Sequence, residues 1–566
     1  MATTTLPTLD APKSDAPKSE ERKNENKQGA QGDPTLERSV LPDPSSRTLT
    51  ICLINPRFEP SYWGFDYALP LYPGDRRSTM INGALPSLAG LCGHHHVRLI
   101  DENVEEIDWD EVARHDIVGV TGMNVQRKRQ FEILERLRSM DVFVAVGGPY
   151  VSVKEDIFEG FCDAMFIGES EYTWPKFLDD FAAGRPTESR YEQSERTDMT
   201  LVPAPRYDLL KVDRYASGSL QFSRGCPFQC EFCDIIVIFG RKPRNKEPEQ
   251  VVAELEAMRQ AGFFSAMVVD DNFIGNKKKA KAVLRAIRDW QIEHDYPLRL
   301  NTEASINLAD DPVLMDLLYE ANFRSIFIGI ETPRAESLKE TKKFQNTHGD
   351  SLEDKLGRIQ KAGLDISAGF IVGFDNDDLG IFEDQYNFIQ GAGVLLAMVG
   401  MLGAIPKTPL YKRLEKEGRL IEEDPNCNFI PKQMTREQLI TNYWDLVRRL
   451  YTPEAFLDRY FRVYIDHPEY TEKRAEICRK GNEGKFLPTL GYAIILFVNL
   501  FVALLKDGSL GKVGVVYLRY FVRVNRKVRP GLIGTAQFLN RCVTHWHFYR
   551  FTRDAQSGKL RTWNSG

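Results

Sequence analysis

"CPFQCEFC", residues 226–233, sets three cysteines, Cys226, Cys230 and Cys233, directly after the run "SLQFSRG" (219–225). The spacing is C-x3-C-x2-C. Clustered thiolates are soft ligands that select zinc or an iron–sulfur cluster. A closed structural zinc site requires a fourth Cys or His nearby. Outside the triad, no Cys or His stands between Cys162 and His294. A [4Fe–4S] cluster on three thiolates leaves one iron open to a small molecule, which gives a reason for only three ligands.

The run before the triad opens a repeating series. It continues as "AMVVDDN" (266–272), "LRLNTEAS" (298–305), "SIFIGIET" (325–332), "DISAGFIVGF" (365–374) and "VLLAMVGMLGAI" (394–405). A helical pattern follows each of the first five, such as "PEQVVAELEAMRQAG" (248–262). Six βα units over 213–425 predict a partial (β/α)6 barrel of TIM type, with chemistry at the carboxyl ends of its strands. Those ends carry Asp270, Asp271, Asn272, Glu303, Glu331, Gly369 and Gly373. A single acid there reads as a solvated or helix-capping carboxylate. Acids at successive strand ends of one barrel favour a functional reading.

Residues 48–190 show a second alternation. Strands are expected at "LTICLINP" (49–56), "HVRLID" (96–101), "DIVGVTGM" (116–123), "VFVAVGGP" (142–149) and "DAMFIGE" (163–169). The amphipathic stretch "QRKRQFEILERLRSM" (126–140) falls between the third and fourth. This predicts a doubly wound, Rossmann-like α/β domain that binds its ligand at the strand ends. Asn55, Thr121, Gly122, Met123, Gly147, Gly148, Pro149, Gly168 and Glu169 stand there. Glycines let a nucleotide-like cofactor approach the backbone closely, although each alone would pass for a turn glycine. "HHH" (94–96) directly precedes a strand and is not expected to ligate metal.

The triad, its position at the opening of a barrel and the acids that follow resemble the radical S-adenosylmethionine superfamily, over roughly residues 213–425. The resemblance implies that the open iron chelates S-adenosylmethionine, that an electron from the cluster releases a 5′-deoxyadenosyl radical, and that Phe232 packs near the adenine. It also implies an external one-electron donor of flavodoxin or ferredoxin type. A doubly wound domain ahead of such a barrel resembles the cobalamin-binding class. Two departures stand out: the loop reads "LPSLAGL" (85–91), and the Asp-x-His-x-x-Gly motif is absent, because "ENVEE" follows "LID". "RGCPFQCEFCDIIVIFGRKPRNK", "VDDNFIGNKKK", "TEASINLADD", "GIETP" and "GFIVGFD" are similar to the subgroup that includes the hopanoid C-2 methylase. That implies a cobalamin-dependent methyltransferase acting on an unactivated carbon of an apolar or lipid substrate. Ring cyclisation with the same cofactors is the rival, and a non-catalytic cluster and cobalamin sensor a more distant one. A methylthiotransferase would carry a second cysteine triad in its N-terminal domain, and none is there.

The remaining features bound this reading. A chain of 566 residues exceeds one hydrophobic core. A net charge of −6 argues against nucleic-acid binding. Nine cysteines in such a length fit a reducing, cytoplasmic setting. Residues 1–47 are polar, repeat "APKS", show no signal peptide and are expected to be disordered. Residues 191–212 read as a linker. From 426 to 566 the pattern is helical and aromatic, ending in "HWHFYRF" (545–551), and is expected to cap the barrel or line a substrate pocket. Cys427 there is a hydrogen-donor candidate, with a buried inert thiol as the plainer reading. "FLPTLGYAIILFVNLFVALL" (486–505) carries no charge, yet holds Pro488, Gly491 and Asn499. It reads as a buried or membrane-surface helix rather than a span.

Overall fold

The N-terminal sheet grows from "TICLIN", β1 (Thr50–Asn55), whose side chains are buried on both faces after the first residue. Unbroken apolar runs of this kind make the interior strands of parallel sheets. β2 (Ser78–Met80) leaves this sheet for the other one. β3 (His96–Asp101), β4 (Ile117–Thr121), β5 (Phe143–Gly147), β6 (Ala164–Ile167) and β7 (Arg190–Glu192) complete the order β3-β1-β4-β5-β6-β7, all parallel. Each of the five expected strands forms. β7 is a sixth, across the boundary between the first domain and the stretch read as linker, and it is too short to show a pattern. The helix Arg127–Leu137 packs Ile133, Leu134 and Leu137 against the sheet. These observations come from a computed structural model that describes residues 47–560, apart from 62–63, 422–426, 468–469, 471, 474–475 and 477–485. The expected disordered tail therefore lies outside the described residues, save residue 47.

The second sheet curls into a half-barrel. Its strands are β8 (Tyr215–Leu220), then, past the short hairpin β9 (Ser223–Arg224) and β10 (Arg244–Asn245), β11 (Ser265–Val268), β12 (Arg299–Glu303), β13 (Phe323–Glu331), β14 (Asp365–Val372) and β15 (Leu396–Met401). The order is β15-β14-β13-β12-β11-β8-β2. Six barrel strands form, the first of them at 215–220 rather than at the expected 219–225, and β2 adds a seventh, pairing Ser78 with Tyr215 and Met80 with Ser217. The first long helix after β8, Pro248–Ala261, shows why such units start and stop cleanly. Glu247 and Gln250 form a capping box, Pro248 opens the helix, and Gly262 closes it at φ 95°.

The C-terminal region is helical as expected: α1 (Arg436–Leu450), α2 (Pro453–Tyr464), α3 (Phe486–Lys506), α4 (Val515–Val528) and α5 (Gly531–Gln556). Its position corrects one expectation. α5 meets the barrel at the amino ends of the strands, opposite the mouth. Arg541 pairs with Asp365, the first residue of β14, at 3.0 Å. Tyr451 donates to the Ala397 carbonyl near the start of β15 at 2.7 Å. The histidines of "HWHFYRF" are buried: His545 lies against Tyr451 and Tyr517, and the His547 ring stacks on Phe65 at 5.0 Å. Burial holds His545 down at about 3, so its ring is neutral. The motif is core packing at the barrel floor.

Ile328, fully buried at the centre of β13, sets the expected scale of core changes. Ile328→Ala should cost about 2–5 kcal/mol of stability. Leu201→Ala, at a residue 69% exposed, should stay within about 0.5 kcal/mol. Chemical denaturation of the two variants checks the contrast.

Candidate active site

The cysteine loop leaves β9 at Gly225, whose φ of +93° belongs to the left-handed region. A Cβ there would meet the carbonyls of Gly240 and Lys242 at 3.0 Å, so the turn admits glycine alone. The next strand end holds the loop in place. Phe222 N–H and Ser223 Oγ–H donate to Asp270 at 2.8 and 2.6 Å, and Gly225 N–H donates to Asp271 at 2.7 Å. Asn272 is tied to Ser305 at 3.1 Å and turns its amide toward Cys226 Sγ at 4.0 Å. The Gln345 amide lies 3.7 Å from Cys230 Sγ. The Asp-Asp-Asn run after β11 thus shapes the cysteine loop from beneath.

The three thiols lie close enough at the barrel mouth to influence one another electrostatically. Burial pushes Cys233 up to about 12, with Asp234 and the other two thiols adding to it. Burial likewise raises Cys226. Three thiolates gathered here need positive charge among them. Among the described residues, no three His, Cys, Asp or Glu side chains sit tightly enough for one metal ion. A donor set of three thiolates fits a [4Fe–4S] cluster with one iron open.

One cation stands beside the thiols, and sequence reasoning missed it. Lys343 is ion-paired with Glu331. Burial works against its charge, yet Glu331 and the thiols of Cys230 and Cys233 hold its ammonium above the usual lysine value. It sits in "ETKKFQNT" (340–347), a polar run with two adjacent lysines. Glu331 reaches it from a residue in the left-handed region, φ +65°, at a register shift in β13. A non-glycine residue held there stores roughly 1–3 kcal/mol.

Glu303 differs from its neighbours. It is half-buried, and no hydrogen bond among the described residues engages its carboxylate. Burial, then Asp271 and Asp270, raise it to about 7. Burial also raises Asp270 to about 7 and Asp271 to about 6. Phe232 packs 6.1 Å from Phe374. Gly369 faces the Phe327 ring across the sheet, and Gly373 lies against Leu439 of α1. Cys427 is buried, and its thiol donates to the Phe429 carbonyl at 3.4 Å.

A cavity of about 300 Å³ opens at the carboxyl ends of β4, β5 and β6. Thr121, Gly147, Gly148, Pro149, Gly168 and Glu169 line it from the N-terminal sheet. Ser219, Gln221 and Arg224 line it from the barrel side. At Gly148, φ +104°, a Cβ would meet Thr121 Oγ1 at 2.5 Å. At Gly168 a Cβ would find no atom within 4 Å, so its missing side chain leaves room for a ligand. This cradle fits a flat cofactor lying against backbone. Asn55, Gly122 and Met123 stand apart from it. Asn55 bonds Asp101, Asn82 and Gln126 at 3.0–3.1 Å, Gly122 abuts Gln130, and Met123 is exposed. His95 accepts from the Leu49 N–H at 3.2 Å and serves the sheet edge.

The cavity and the cysteine loop share one fastening. Glu169, at the cavity wall, takes Arg224 and Arg244 at 2.9 Å each, and Glu171 takes Arg224 at 2.7 Å. Arg224 stands two positions before Cys226. Burial works against its charge, but Glu171 and Glu169 more than offset it. Arg224 in turn holds Glu171 below the usual carboxylate range despite burial.

Three outcomes follow. Cys230→Ala should remove nearly all of the roughly four irons per chain expected of a [4Fe–4S] protein, read by iron and sulfide analysis. Arg224→Ala leaves Glu171 buried without its cation, while Glu169 keeps Arg244, and should cost about 3–5 kcal/mol, read by thermal unfolding. For Glu303 the sign is set by a folded-state value of about 7 against ~4.3 unfolded. The folded form binds the proton more tightly, so this group lowers stability as pH rises from ~4 through 7. In cluster-free protein, Glu303→Gln should melt above the wild type at pH 8, with the gap closing as the pH is lowered to 4.

Residues 220–389 match the radical SAM superfamily, and residues 408–560 match a domain of unknown function, DUF4070. The chain is 42% identical to an uncharacterized methyltransferase of Synechocystis sp., over 73% of this chain and 78% of that protein. It is 37% identical to the hopanoid C-2 methylase of Rhodopseudomonas palustris, over 72% and 78%. The fold aligns with that of the cobalamin-dependent S-adenosylmethionine radical enzyme OxsB at a TM-score of 0.57 and 17% identity, over 85% of this chain and 84% of that one. The chain therefore belongs to the radical S-adenosylmethionine superfamily, as a methyltransferase of the group that contains the hopanoid C-2 methylase, and it has the fold of a cobalamin-dependent radical enzyme.

Proposed function

We propose that this methyltransferase alkylates an unactivated carbon of an apolar lipid, a hopanoid at C-2. The observation that carries the reading is the shared wall. Gln221 and Arg224 line the glycine-rich cavity, and the loop they belong to delivers Cys226 to the barrel mouth. A methyl donor and a radical generator held on the two sides of that wall would meet over one substrate. In this assignment residues 48–190 hold cobalamin, 213–425 hold the cluster and S-adenosylmethionine, and 426–566 pack around the barrel, with α5 closing its floor. When bound, the cluster and S-adenosylmethionine supply the one-electron chemistry that activates a C–H bond, and cobalamin supplies the methyl group.

The chain's own residues have separable tasks. Cys226, Cys230 and Cys233 ligate the cluster. Asp270, Asp271 and Asn272 fix the loop that presents them. Glu303 offers a carboxylate with no other partner, suited to an amino or hydroxyl group of S-adenosylmethionine. Glu331 and Lys343 form a buried ion pair beside the thiols. Gly147, Gly148 and Gly168 keep the cavity wall thin enough for a corrin to lie on it. The lipid assignment draws on the identity to the Rhodopseudomonas palustris enzyme across most of both chains.

The test is anaerobic turnover of reconstituted enzyme, loaded with cobalamin, with S-adenosylmethionine, a low-potential reductant and a desmethyl hopanoid. The expected products are a 2-methylhopanoid, 5′-deoxyadenosine and S-adenosylhomocysteine. With Glu303→Gln, 5′-deoxyadenosine formation should fall at least tenfold while the iron content stays unchanged. 5′-Deoxyadenosine with no methylated product from any hopanoid would overturn the substrate. Full iron and cobalamin with no 5′-deoxyadenosine would overturn catalysis itself.

A further inference from the structure

α3 carries one buried face and one bare apolar face. Ala493, Leu496, Leu500 and Leu504 are buried and follow the 3- and 4-residue steps of one helix side. That side packs on α5, and Asn499 donates to the Leu71 carbonyl at 3.1 Å. The opposite side exposes Leu487, Ile494, Phe497, Val498, Phe501 and Leu505, with Leu487 76% and Phe497 58% exposed. α4 repeats the motif: Val515, Leu518 and Val522 are exposed, while Val516, Tyr520 and Val524 are buried. A run of exposed apolar side chains this long marks a surface that another apolar body covers.

The charge around it identifies that body. Between residues 486 and 530 the sequence holds seven basic residues, Lys506, Lys512, Arg519, Arg523, Arg526, Lys527 and Arg529, and one acid, Asp507. The chain as a whole carries −6, so this segment reverses the overall sign. Lys506, Lys512, Arg526 and Arg529 are exposed, and no ion pair among the described residues engages them. An apolar helix face with an adjoining cationic segment is the pattern of a helix in the interfacial plane of an anionic membrane. At 21 residues and mean apolar character, α3 is long enough to cross a bilayer. Its sealed face decides against crossing, because a helix bonded along one side to a polar protein body lies on a bilayer.

We propose that α3 and α4 seat the enzyme on the surface of an anionic lipid bilayer, with the bare face of α3 sunk into the headgroup and acyl boundary. The inference stands apart from the substrate assignment, since it is read without turnover.

The test is co-sedimentation of the full-length reconstituted enzyme with vesicles of phosphatidylcholine alone or with 30% phosphatidylglycerol, in low and high salt. The wild type should bind the anionic vesicles at least tenfold more tightly than the neutral ones and lose most of that preference in high salt. Phe497→Asp/Phe501→Asp should abolish binding. Arg526→Glu/Arg529→Glu should weaken binding to anionic vesicles alone. Unchanged iron content and circular dichroism would show that the variants fold. Release of membrane-bound protein by alkaline carbonate would support surface seating, and retention would overturn it in favour of a span. Absence of vesicle binding would overturn the proposal. So would a dimer in light scattering that the two aspartates dissociate while vesicle binding persists, since a second copy of the chain would then cover this face.

Discussion

Arg224 ties the architecture together. Two carboxylates from the end of one sheet, Glu169 and Glu171, converge on a guanidinium that stands just ahead of the cysteine loop of the other. All three groups are largely withdrawn from water, where an unpaired charge is expensive and a paired one is geometrically demanding. The result is an orientation lock. A shift of either sheet that broke the pairing would leave a buried charge stranded, so the glycine-lined cavity and the three thiols keep one relative placement.

A shortage of water organises the barrel mouth in the same way. Asp270, Asp271 and Glu303 crowd at neighbouring strand ends, and burial makes each reluctant to ionise. The first two use backbone and hydroxyl donors from the cysteine loop. Among the described residues Glu303 has none, which leaves its carboxylate able to meet a ligand. Lys343 and Glu331 supply opposite charges that neutralise each other close to the sulfurs. Burial of such groups next to an electron-transfer centre limits how much the surroundings reorganise when its charge changes.

Much of this was legible in the amino-acid sequence. The five N-terminal strands and six barrel strands announce themselves as apolar runs with helical stretches between them, because interior strands of a parallel sheet have no polar face to disguise them. The triad is legible because its spacing and the missing fourth ligand are both local facts. The contacts that join the two sheets are not. Nothing near Arg224 or Arg244 in the sequence signals Glu169, which lies more than fifty residues earlier. Lys343 sits among other lysines, and only its pairing with Glu331, distant in sequence, sets it apart. Asn55 and Met123 stand at strand ends as Thr121 does, yet one side chain is used up by neighbouring amides and the other points to water. Position on a strand can be read from pattern, whereas the direction of a side chain past the strand's end depends on the loop. The placement of "HWHFYRF" under the barrel also needed three dimensions, since aromatic residues look alike in a lid and in a core.

The three residues of β2 have a consequence of their own. They are made early, within the first sheet's stretch of chain, yet their hydrogen-bonding partner is β8, and Ser219 reaches back to the Ile81 carbonyl across 138 positions. During synthesis the nascent N-terminal half therefore emerges with one strand that has nowhere to pair until the first barrel strand has left the ribosome. Loop closure over that distance is slow compared with local helix formation. The two halves are consequently poor candidates for separate evolution by simple cut and join: a recombination point anywhere between residues 81 and 215 would strand an edge in one product and remove it from the other.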